Sequence, residues 1–154
     1  DVARAQPTDV NELVERVLSV SRKEIKSHRV RVVRDLAEDL PLAAVVADRI
    51  QQIFLNLVLN AVEAMSHGGE LTITSAYDNH AGEVVVAFRD TGPGIPQSVL
   101  DQLFDPFVST KTDGTGLGLF VSQNIAREHG GWIEVETDQG EGTTFRVHLP
   151  ASAS

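Results

Sequence analysis

The 154-residue chain contains no cysteine, which excludes disulfides and thiolate zinc sites and leaves the redox compartment undecided. No apolar run approaches the ~18 to 20 residues needed to cross a bilayer, and no signal peptide is visible. Positive charge is scarce: 13 Lys and Arg stand against 22 Asp and Glu, for a net charge of -9. A general nucleic-acid surface needs a basic patch, so that class is disfavoured. Any site for a polyanion must then be a local exception, built from backbone N–H groups, a metal ion and a few cations. Methionine occurs once, at Met65, and the first residue is Asp1. The chain therefore reads as an excised fragment, and a membrane anchor elsewhere in its parent stays open.

What is present fits one globular domain, with 42% hydrophobic and 23% charged residues. At this length folding buries roughly two-thirds of the unfolded surface, so no covalent staple is required. Residues 1–7 lack periodicity and end in Pro7, which predicts a linker; a domain over 8–150 and a tail over 151–154 follow. Thr8 or Asp9 can cap a first helix, in which Val10, Leu13, Val14, Val17 and Leu18 recur at helical spacing. A basic stretch precedes a strand at Val30–Val33, and Val45-Val46 suits a short strand after Pro41. Asp48 is placed to cap a second helix running to about Met65. Two β-branched runs, from Leu71 and from Val84, read as a hairpin, and Pro96 opens a short helix. Residues 105–116 read as a loop, followed by a helix over about 117–129 and strands near 132–137 and 143–149. This order suggests an α+β, two-layer sandwich: a mixed sheet of about five strands on about three helices.

On a helical wheel the second helix is apolar almost all round, which marks a central, buried helix. Arg49, Gln52, Asn56, Asn60 and Glu63 share a wedge of roughly 80°. Asparagine forms helices poorly, so Asn56 and Asn60 one turn apart require a reason. An amide carbonyl oxygen suits Mg²⁺ that already carries phosphate oxygens. The alternative is that both amides satisfy backbone groups or face water.

Three glycine-rich loops follow. In Asp90-Thr91-Gly92-Pro93-Gly94-Ile95, the carboxylate at a strand end can accept from an exocyclic amine such as that of adenine. Gly92 and Gly94 let the backbone approach a flat ring, although Asp-x-Gly is also common turn chemistry. Gly114-Thr115-Gly116-Leu117-Gly118-Leu119 lies at a loop-to-helix junction, where N–H groups and the helix dipole favour an anion; a plain hinge is the other reading. It is neither a Walker A loop nor a dinucleotide fingerprint. Lys111 and the neighbouring Thr112 lie just upstream, and Lys111 can reach a terminal phosphate as a point charge or simply solubilise the loop. Gly140-Glu141-Gly142-Thr143 is the least specific, although Thr143 can offer its hydroxyl to a base.

Taken in order, these elements resemble the sensor histidine kinases. Asn56-Leu-Val-Leu-Asn60 resembles their N box, Asp90-Thr-Gly-Pro-Gly94 the G1 box, and Phe104-Asp-Pro-Phe107 the F box. Gly114–Leu119 is similar to the G2 box and Gly140–Thr143 to a trailing G3 element. The resemblance covers about residues 8–149 and implies the Bergerat ATP-binding fold, with ATP and Mg²⁺ as ligands. It implies Asn60 as the Mg²⁺ ligand, Asn56 near the phosphates and Asp90 on the adenine amine. Gly92, Gly94 and Ile95 would lie beside the base, and Thr112, Gly114, Thr115, Gly116, Leu117, Gly118 and Leu119 around the triphosphate. Asn56, Asn60 and Lys111 are the expected catalytic set. The short segment ending in Thr110-Lys111 resembles the nitrogen-sensor-like subgroup.

Two departures matter. Glu63 stands where many relatives carry a Lys or Arg three residues after the Mg²⁺ asparagine, with Arg49 or Lys111 as possible substitutes. None of the five histidines, His28, His67, His80, His129 and His148, is followed by an acidic residue, so the phosphoacceptor is expected on a separate dimerisation domain. A response regulator downstream and a cytoplasmic location are further implications of the resemblance. Asn56, where hydrolytic relatives place a glutamate, cannot act as a general base, which predicts slow hydrolysis. An ATP-hydrolysing switch, a non-catalytic nucleotide-binding module and an anti-sigma-type serine kinase of the same fold remain as alternatives.

Overall fold

A computed structural model describes residues 2–106 and 118–153. Asp9 is the cap of α1 (Val10–Val20): its Oδ1 accepts from the Asn11 amide at 3.0 Å, occupying a donor the helix cannot satisfy itself. The periodic stripe Val10, Leu13, Val14, Val17 and Leu18 is fully buried. The basic stretch that follows forms a short helix, α2 (Arg22–Ser27).

The linker reading of residues 6 and 7 is corrected. A ribbon of β1 (Gln6–Thr8) and β3 (Ala43–Val45) pairs Pro7 with Ala44; proline is tolerated because a two-stranded ribbon has only edge strands. The tail reading also changes, since Ala151 bridges Ala43 and the Ser152 amide donates to the Leu42 carbonyl at 2.7 Å.

The main sheet has five strands in the order β2-β4-β5-β7-β6. They are β2 (Val30–Asp35), β4 (Gly69–Asp78), β5 (Glu83–Asp90), β6 (Trp132–Asp138) and β7 (Gly142–Pro150). Only β2 and β4 pair in parallel, and parallel neighbours need a crossover. Here it is α3 (Ala47–Ala64), the long helix that carries both asparagines.

Asp48 does not cap α3. The cap position is Val46, which offers no side-chain acceptor; Asp48 sits in the first turn, where a negative charge suits the positive helix end. The buried Val46 N–H instead donates to His129 Nε2 at 3.2 Å, while His129 Nδ1 bonds the Ile125 carbonyl at 2.8 Å. This pair of bonds fixes the neutral ring with its proton on Nδ1. His129 directly follows the last residue of α5 (Gly118–Glu128).

Helix α3 packs between α1 and α5 on one face of the sheet. Its Phe54 meets Phe88 of β5 with ring centroids 5.3 Å apart, within the range of favourable tilted aromatic pairs. The short α4 (Gln97–Leu100) follows Pro96. The two-layer α+β sandwich is as expected. The loop expected over 105–116 lies outside the described residues from position 107 onward. No described helix is long and apolar enough to cross a membrane.

Candidate nucleotide site

Strand parity delivers the first site residue. Along β5, Val84, Val86 and Phe88 point into the core and alternate with less buried neighbours, as the period of two demands. Asp90 continues that parity, so a carboxylate is carried to the inner face where the strand ends, only 5% exposed. Its Oδ1 accepts from the backbone N–H of Gly92 at 2.9 Å and of Thr143 at 3.3 Å. Burial pushes this carboxyl above the ordinary aspartate range, and the two backbone donors pull it partly back. Among the described residues both donors fall on Oδ1, which leaves Oδ2 for an outside donor.

The loop after Asp90 is docked rather than loose. Gly140 donates to the Pro93 carbonyl at 2.7 Å, and the Ile95 amide donates to Thr137 Oγ1 at 2.9 Å. Thr137 Oγ1 also lies 2.9 Å from Thr143 Oγ1, so the expected hydroxyl of Thr143 is bonded inside the site. Gly94 has φ of +83°, and a Cβ there would sit 2.5 Å from the Asp138 carbonyl oxygen. Gly92 is less tightly confined: a Cβ would lie 3.0 Å from the Ala64 carbonyl oxygen at the end of α3. Thr91 joins the loop to that helix end, its amide and hydroxyl pointing at Met65 Sδ while its Oγ1 accepts from Glu70 N–H.

The second half of the site lies where α3 meets α5. The helices run antiparallel, with Arg49 paired to Glu128 at 3.0 Å and Asn56 bonded to Ser122 at 3.2 Å. Asn56 Oδ1 rests against Gly118, where a Cβ would come within 2.5 Å of it. The third glycine of Gly-x-Gly-x-Gly thus leaves room for the end of a side chain on another helix. Asn60, half-buried, lies one turn further along α3, and exposed Glu63 follows it. Arg49 is excluded as a substitute phosphate ligand: it is held at the far end of α5, about 17 Å along the helix axis from Asn60. Leu119 packs partly against the core. Lys111, Thr112, Gly114, Thr115, Gly116 and Leu117 lie outside the described residues.

The profile of the histidine kinase-, DNA gyrase B-, and HSP90-like ATPases matches residues 45–153. The chain belongs to this ATPase family. It is 36% identical over 147 residues to the sensor histidine kinase ZraS of Escherichia coli strain K12, covering 96% of this chain and 31% of ZraS. It therefore spans about a third of that relative's length. The nucleotide-free catalytic domain of the histidine kinase ThkA superposes with a TM-score of 0.83 at 33% identity, covering 96% of both chains. Full-length ShkA in complex with AMPPNP gives 0.85 at 26% identity, over 98% of this chain and 32% of ShkA. The ATPase-family domain described here is thus the counterpart of histidine kinase catalytic, ATP-binding domains.

The residues present fit the nucleotide that the family binds. A buried carboxylate with an uncommitted oxygen suits an exocyclic amine, and glycines confined by backbone leave only main chain beside it. Among the described residues no three His, Asp or Glu side chains gather where they could hold a metal ion.

Thr137 and Ser122 are the site residues that sequence reasoning missed. Both had a signal. Thr137 is the cross-strand partner of Thr143 in a hairpin, and Ser122 lies four residues after Gly118 on the same helix face. The histidines take structural or surface places: His148 is bonded to Glu83 and Glu134 and stacks on Trp132, and His67 and His80 are exposed.

Proposed function

We propose that this domain binds Mg-ATP and passes the γ-phosphoryl group to a histidine on a separate helical domain, from which a response regulator takes it. The observation that carries the choice of transfer over hydrolysis is Asn56. One turn before Asn60 the chain presents an amide tied to Ser122, and an amide cannot take a proton from water.

In this reading Asp90 accepts from the adenine amine, and Gly92 and Gly94 bring the backbone beside the ring. Asn60 contributes a carbonyl oxygen on the metal side, and Asn56 lies toward the phosphates. The N-terminal N–H groups of α5 face accumulating negative charge, and Lys111 adds a point charge near the γ-phosphate. Bound Mg²⁺ would neutralise charge on the phosphate oxygens as it develops. The acceptor imidazole supplies its own electron pair: an N–P bond forms while the bond to the β–γ bridging oxygen breaks and ADP departs. The protein's task is positioning, which explains the absence of a general base at residue 56.

The test is incubation of the chain with γ-labelled ATP, Mg²⁺ and a histidine-bearing dimerisation domain. Acid-labile, alkali-stable label on that domain is expected. Label on serine, or none, refutes the proposal.

A further inference from the structure

The Asn56 side chain is free to rotate unless something holds it, so its position on the phosphate side depends on its neighbours. Ser122 is the neighbour bonded to it. Its side chain is buried on α5, with the residue 2% exposed, and its Oγ accepts from Asn56 Nδ2 at 3.2 Å. With the nitrogen engaged there, Oδ1 is turned to the N-terminal end of α5, into the space vacated by the missing side chain of Gly118. Gly118 and Ser122, one turn apart, together form a socket that holds the asparagine side chain in place, Gly118 by leaving room for the amide and Ser122 by bonding it.

We infer that Ser122 is a positioning residue for nucleotide binding, acting on the polyphosphate and its metal through the orientation of Asn56. The inference rests on the proposed role of Asn56 near the phosphates. Removing the hydroxyl leaves α5 intact, since alanine favours helix over serine, but frees the amide to rotate. The affected ligand part is the triphosphate. The base, held by Asp90 and the docked loop where α3 ends at Ala64, about 12 Å along the helix axis from Asn56, is untouched.

The experiment is a double-mutant cycle read by calorimetric titration of Mg-ATP and, separately, AMP, on the wild-type chain, Asn56→Ala, Ser122→Ala and the double variant, with thermal melts of each. Expected are a roughly three- to tenfold weaker Mg-ATP affinity for Ser122→Ala, unchanged AMP affinity, an unchanged melt, and no further loss when Ser122→Ala is added to Asn56→Ala. If Asn56→Ala weakens Mg-ATP while Ser122→Ala does not, or if the two losses add, the socket is wrong and the role of Asn56 stands. If Asn56→Ala leaves Mg-ATP affinity unchanged, the role of Asn56 fails and the inference falls with it. A parallel fall in AMP affinity, or in the melt, assigns Ser122 to packing and overturns the proposal.

Discussion

Replacing Asp90 with asparagine separates binding from folding. The aspartate is buried, and its Oδ1 already accepts two backbone N–H groups. An asparagine keeps Oδ1 in that role, so its new NH₂ must occupy the position of Oδ2. In the proposed binding mode it would there meet the adenine amine, donor against donor. The loss is one hydrogen bond to a charged acceptor together with an unpaired donor, about 2–3 kcal/mol, or roughly 30- to 150-fold in Kd for Mg-ATP. Stability should move the other way. The folded-state pKa of Asp90 is raised by burial, so its contribution to stability is fully present below the unfolded-state pKa and lost as pH rises through the folded value. At neutral pH the buried charge is a cost that a neutral amide removes. The apo Asp90→Asn protein should therefore melt no lower than wild type at pH 7, and wild type should gain more than the variant on acidification from there, because only wild type has a carboxyl at position 90 to protonate. Titration calorimetry with ATP and inosine triphosphate, which lacks the exocyclic amine, reads the binding side. Wild type should discriminate between them, and Asp90→Asn should lose that discrimination. Unchanged ATP affinity in the variant, or a markedly lower apo melt, would refute the reasoning.

Two further variants probe the scaffold around the site. Gln123 bonds both the N–H and the C=O of Ile133 on edge strand β6, at 2.8 and 3.0 Å. Gln123→Ala should cost about 2–4 kcal/mol in urea unfolding by leaving both groups unpaired, and a change below about 0.5 kcal/mol would contradict the tether. Gly94→Ala forces a positive φ on a side chain aimed at the Asp138 carbonyl. It should cost about 1–3 kcal/mol through the backbone and weaken Mg-ATP, and a neutral effect on both would show that the docked loop is not required.

Much of this architecture was legible because it is written in short-range patterns. The stripe of α1, the alternation of β5 and the glycines after Asp90 each follow from neighbours a few residues apart. What escaped depends on distant partners or weak periodicity. Helix α2 contains a single partly buried apolar residue, Ile25, so no helical period could appear within the basic stretch. Strand β1 is three residues long and includes a proline, and it exists only because β3 lies beside it. Asp48 has the composition of a cap, but the chain enters α3 two residues earlier, with His129 from 83 residues away serving the Val46 amide. In the site, Asp90, Gly92 and Gly94 were readable from local turn chemistry. The packing at Gly118 was not, since the side chain that fills the space beside it comes from α3 and is bonded to Ser122 across 66 residues.

The central claim, that this domain is built to hand a phosphoryl group to histidine rather than to water, is tested most directly by following the fate of the γ-phosphate. Labelled Mg-ATP is given to the chain alone and to the chain with a histidine-bearing dimerisation domain, and inorganic phosphate and phosphohistidine are measured together over time. The account predicts little phosphate release from the chain alone and label appearing on histidine when the second domain is added. Rapid steady-state release of phosphate by the isolated chain would contradict it.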